Sequence, residues 1–94
     1  MNGGKLEYKF SLGTAGNTIL PTLQVLTAKG YTITRDRTPP EDDDPLWVAV
    51  KDERRFLAET VESLLGLIAM WESRGDDWYL KPGEYEQYEH FLYL

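Results

Sequence analysis

Aromatic and carboxylate side chains are the residues of this 94-residue chain best suited to recognition or chemistry. Three tryptophans, Trp47, Trp71 and Trp78, are too many for one small core to hide, and tryptophan and tyrosine are the residues that anchor interfaces. The C-terminal stretch interleaves Tyr85, Tyr88 and Tyr93 with Glu84, Glu86 and Glu89, and Tyr79 stands a few residues upstream. Tyrosines offer contact area while carboxylates steer a basic surface into place. A second acidic run, Glu41-Asp42-Asp43-Asp44, is bounded by prolines on both sides. The expected partner-binding residues are therefore Trp47, Tyr79, Glu84, Tyr85, Glu86, Tyr88 and Glu89, with Asp42, Asp43 and Asp44 from the acidic loop.

No catalytic set assembles from the remaining chemistry. His90 is the single histidine, and there is no cysteine and no Gly-x-Ser-x-Gly nucleophile motif to partner it. Asp76-Asp77 beside Trp78 superficially matches the two acids of a glycosidase, but neighbouring residues in a turn diverge and cannot flank one bond. The Gly13-Thr14-Ala15-Gly16-Asn17-Thr18 turn lies where a phosphate loop would, without the P-loop spacing or its Lys-Ser/Thr pair. The acidic run lacks the alternating ligands, central glycine and distal glutamate of an EF-hand. No catalytic residue, cofactor or metal is expected. The competing reading is a ligand- or metal-binding module that uses the acidic loop 41–44 or the Gly13–Thr18 turn.

Charge narrows the partner. Ten Lys and Arg against sixteen Asp and Glu leave a formal net charge of −6. Through Arg35 there are four bases and one acid, and from Asp36 onward six bases and fifteen acids. An acidic excess argues against nucleic acid, whose phosphates require a surplus of Lys and Arg. A protein partner of basic character fits. The most apolar window, Leu64 to Trp71, contains Gly66 and is flanked by Glu62 and Glu72. It falls short of the ~20 apolar residues of a membrane span. Met1 to Lys5 offers no apolar run of signal-peptide length. The expectation is one compact domain over residues 1–94, cytoplasmic and of bacterial type.

The elements that must position these residues follow from periodicity. Lys5 to Leu12 alternates strictly, with Leu6, Tyr8, Phe10 and Leu12 on one side, which predicts a half-buried strand. Thr18 to Lys29 predicts a helix with Pro21 in its first turn, Ile19, Leu20, Leu23 and Leu26 as an inward stripe, and Gly30 after its end. Tyr31 to Arg35 is β-branched and aromatic and predicts a strand, followed by the proline-rich loop 38–45. Leu46 to Lys51, a loop at Asp52 to Arg55, and Phe56 to Ala58 predict a hairpin; the competing reading starts a long helix at Asp52. Thr60 can cap a helix whose face carries Val61, Leu64, Leu65, Ile68 and Trp71, stopped by Arg74 and Gly75. Glu84 to Leu94 has helical spacing. If Leu46, Val48 and Val50 face the helices, Trp47 projects from the opposite sheet face.

The order β-α-β-β-β-α-α predicts an α+β domain, a single-layer, mostly antiparallel sheet with helices packed on one face. The first two strands could pair in parallel through a right-handed crossover. The functional expectation is a small non-enzymatic interaction protein, inhibitor- or immunity-like, that docks on a basic protein through its acidic, tyrosine-rich C-terminal half. A third reading is a homo-oligomer joined through a sheet edge or Trp47, against which a short final strand and the lysines of the first strand act as edge guards.

Overall fold

A computed structural model describes residues 7–37 and 44–94. After a 3₁₀ turn at Gly16–Thr18 come α1 (Ile19–Ala28), β1 (Thr32–Asp36), β2 (Leu46–Lys51), β3 (Arg54–Ala58), α2 (Val61–Arg74) and α3 (Tyr85–Leu92). The three strands form one antiparallel sheet in the order β1-β2-β3. The protein is a small α+β domain with helices packed against the sheet. Leu26 of α1 and Leu64 and Ile68 of α2 close over Ala49 and Tyr31, and Ile33, Trp47, Phe56, Ala58 and Leu65 pack around that centre.

Local signals account for most boundaries. Gly30 sits just beyond α1 with φ +96°, a left-handed conformation that costs glycine little. The β2–β3 connection is the hairpin, but its loop is only Asp52-Glu53, two residues shorter than the four expected. Both of its residues have positive φ, 51° and 64°, as the mirror-image turns favoured by right-twisted hairpins require. The Thr60 hydroxyl accepts the Ser63 N–H at 3.0 Å and starts α2. Gly75, at φ +83°, ends it by donating to the Trp71 carbonyl.

Three expectations need correction. Within the described residues 7–12 the alternating segment is not a strand, so the first strand of the expected order is not found there; Lys5 and Leu6 lie outside the described residues. Tyr8, Phe10 and Leu12 are 73%, 77% and 73% exposed. Alternation makes a segment amphipathic, but a strand also needs a ladder partner, and Leu12 instead lines a depression on the helical layer with Pro21, Val25 and Leu65. Among the described residues no parallel pairing is present; all strand pairs are antiparallel.

Trp47 lies on the helix side of the sheet, with Ala49, and the Arg35 guanidinium covers its ring at 4.1 Å. Leu46, Val48 and Val50 take the other side, as period two then demands. Every odd and even position of Leu46–Val50 is apolar, so the pattern alone assigns neither face to the core. The small side chain of Ala49 decides it, because it lets Leu26, Leu64 and Ile68 approach the middle strand. The α1 stripe is also narrower than expected: Leu26 is buried and Leu23 half-buried, whereas Ile19 and Leu20 face solvent.

Candidate functional site

The chain leaves α2 through Gly75 and runs outward, carrying every aromatic residue from Trp78 onward into solvent. Trp78, Tyr79, Tyr85, Tyr88, Phe91 and Tyr93 are all exposed, and α3 has no buried residue. With its core cover missing, this limb is ordered by two polar brackets.

The first bracket is Arg74, at the end of α2. Its Nε donates to the Trp78 carbonyl at 2.9 Å and its Nη2 to the Tyr79 carbonyl at 3.0 Å. The same guanidinium grips Glu84 with both amino nitrogens, at 3.2 and 2.7 Å. Glu84 Oε1 also accepts the Lys81 N–H at 2.6 Å. Paired charge-assisted bonds of this fork-to-fork kind are the strong class. The Arg74 contact, then the Lys81 N–H, holds the Glu84 carboxyl below its usual range, while Glu84 raises Arg74. The bracket fixes the Trp78–Tyr79 ring pair, stacked at 4.7 Å and 20°, and sets where α3 begins.

The second bracket is Asp76. It accepts from Arg54 at 2.8 and 2.5 Å and from the Trp71 indole Nε1 at 2.7 Å. These hydrogen bonds, Arg54 first, lower its carboxyl from 3.8 to about 2. The Arg54 guanidinium lies 5.1 Å over the Trp71 ring, and Phe56 meets that ring edge-on at 5.5 Å. Asp77 turns instead to Lys81, at 2.9 Å. The two aspartates thus serve separate ion pairs and share no reacting centre.

A cavity of about 350 Å³ opens beside this bracket, between β3 and α2. Phe56 and Leu57 of β3, Leu67, Met70 and Trp71 of α2 and Trp78 of the limb give it apolar lining, and Arg54, Arg55 and Asp76 give it charged lining.

The expected site residues separate accordingly. Tyr79, Tyr85, Glu86, Tyr88 and Glu89 lie together on the limb and are exposed. Glu86 and Glu89 pair with no base among the described residues, whereas Glu84 is committed to Arg74. Trp47 is remote, on the core side of the sheet. Asp42 and Asp43, with Glu41, lie outside the described residues; Asp44 is exposed. The Gly13–Thr18 turn presents its Thr18 hydroxyl 2.6 Å from Glu62 Oε2, so one of the chain's own carboxylates stands where an anion would. His90 sits in the last turn of α3 beside Phe91. Among the described residues no cluster of His, Asp and Glu could hold a metal ion, and no helix is long and apolar enough to cross a membrane.

Sequence reasoning missed Arg74, Asp76 and the cavity. Arg74 reads as a helix-stop signal and Asp76 as a turn residue, and the only hint of their bracketing was opposite charge at Arg74 and Glu84. The cavity combines two elements in space and had no local signal.

The fold and this limb define a small α+β protein with an acidic, aromatic, outward-facing C-terminal arm. No protein-family model, curated protein or solved structure matches the chain.

Proposed function

We propose that the chain is a non-enzymatic interaction protein of the bacterial cytoplasm, inhibitor- or immunity-like, that docks on a basic protein through its C-terminal limb. One observation carries this reading. From Pro82 to Leu94 the chain has three glutamates and no Lys or Arg, and its aromatic side chains all stand in solvent. An exposed aromatic patch of this kind is the usual mark of a contact surface, and tyrosines on a preset helix lose little side-chain entropy on binding. Glu86 and Glu89 add a negative field that draws a cationic surface in and favours it over acidic competitors. The same field repels phosphate backbones, which disfavours nucleic acid as the partner.

Affinity capture from the native host, with mass spectrometry, followed by titration of the recovered protein at low and high salt, tests this. Basic proteins should be recovered, and affinity should fall as salt rises. Glu86→Gln with Glu89→Gln should slow association and flatten the salt dependence. Tyr88→Ala with Phe91→Ala should weaken binding about tenfold or more, as loss of anchor residues does. Recovery of only neutral or acidic proteins, or an affinity indifferent to salt and to both double variants, would overturn the reading.

A further inference from the structure

We propose that the free edge of β3 is an acceptor groove for a second copy of this chain, whose Tyr8–Leu12 segment pairs there as a fourth strand. The exchange is reciprocal, each copy giving one strand and receiving one.

The first support is the shape of the cavity. Its lining includes Arg54 and Phe56 from the helix side of β3 and Arg55 and Leu57 from the other side. A cavity that touches both faces of one strand reaches round that strand's edge, and among the described residues β3 pairs on one side only, with β2. The two-residue turn makes Lys51 and Arg54 the first hydrogen-bonded pair of the hairpin. Alternation then turns the N–H and C=O groups of Arg55 and Leu57 outward, into the groove. Leu67, Met70 and Trp78 supply apolar walls beside this open ladder. Backbone donors and acceptors flanked by apolar side-chain pockets are the recognition mode of strand addition.

The second support is the occupant. Tyr8, Phe10 and Leu12 share one face of a period-two segment, with Lys9 and Ser11 between them. The single chain leaves about three-quarters of each of these side chains in water, with Leu12 at the rim of the depression beside Pro21 and Val25. Laid along β3, the apolar side meets the groove while Lys9 and Ser11 remain in solvent. Among the described residues, one chain thus carries both an edge without a neighbouring strand and an amphipathic segment outside any strand, and a two-fold relation between copies satisfies both at once in a closed assembly.

Charged side chains normally guard an exposed edge. Of the two arginines here, Arg54 is drawn back by Asp76 and lies over Trp71. That leaves Arg55 as the remaining guard.

Sedimentation equilibrium over a range of concentrations reads the result directly. The expected mass rises to twice the 10.8 kDa of the chain. Tyr8→Lys with Phe10→Lys should return it to 10.8 kDa. Both side chains are exposed in the single chain, so the urea midpoint of the isolated fold should hold. Because the sequence has no cysteine, Phe10→Cys and Leu67→Cys can be placed on separate chains, which should form a disulfide when mixed and oxidised. A monomer at every concentration, or a dimer insensitive to the lysine pair, overturns the proposal. So does a disulfide that forms only within a monomeric chain carrying both cysteines, which would make the segment a strand of its own sheet.

Discussion

The two halves of this molecule are ordered by different forces. The sheet with α1 and α2 is held by apolar burial: Leu26, Ala49, Leu64 and Ile68 are fully removed from solvent. The limb beyond Gly75 buries no residue of α3 and depends on ion pairs and hydrogen bonds from Arg74 and Asp76. Burial is indifferent to pH and is strengthened by structure-making salts, whereas exposed ion pairs weaken under both acid and salt. A segment ordered by a few exposed polar contacts opens at far lower free energy than the core beneath it.

The contrast can be broken from either side, and the core gives the largest effect. Leu64→Ala removes a side chain with no exposed surface at the centre of the cluster and should cost about 3 kcal/mol in urea unfolding. Limb and core should then melt together, since the limb's brackets stand on α2. A loss well under 1 kcal/mol would show that the core is looser than its burial implies.

Arg74→Ala acts on the other half. It deletes the contacts to Trp78, Tyr79 and Glu84 in one step, so amide exchange across Tyr85–Leu92 should accelerate and the Trp78–Tyr79 stack should loosen. The urea midpoint of the core should move much less than in Leu64→Ala. Equal shifts in both halves would erase the distinction.

Acid gives the smallest and most local effect. The Asp76 carboxyl is depressed to about 2 from its ordinary 3.8, so its contribution is fully present above about pH 4 and is lost as pH falls toward 2. Trp71 fluorescence should report this step, because the indole N–H donates to that carboxylate. In Asp76→Asn, which carries no titratable group there, the step should vanish. A carboxyl titrating near 3.8 by NMR would show that Arg54 does not hold it.

Much of the framework is legible in the residues themselves. Thr60 and Gly75 delimit α2, Asp52 to Arg55 marks the hairpin although its loop is two residues shorter, and Glu84 to Leu94 keeps a helical spacing; each signal acts within a turn or two of chain. The acidic aromatic limb is equally legible, because its composition is local. The errors fall where partners are distant. Leu46 to Val50 is apolar on both faces, so which side meets the helices depends on which surface they can approach closely. Over the described residues 7–12, the alternation carries a strand's chemistry without a strand's partner.

The sequence by itself determined where most elements start and stop, that β2 and β3 form an antiparallel hairpin in a mostly antiparallel sheet, and that charge and aromatic side chains concentrate at the C-terminal end. Caps, turns and periodicity arise from neighbours along the chain. Only the tertiary structure decided that Trp47 turns inward, that Glu84 is held by Arg74, that Asp76 and Arg54 meet across 22 residues, and that β3, the last strand of the sheet among the described residues, lies beside an apolar groove. These depend on which surfaces meet in space, and no local pattern of residues encodes such a meeting.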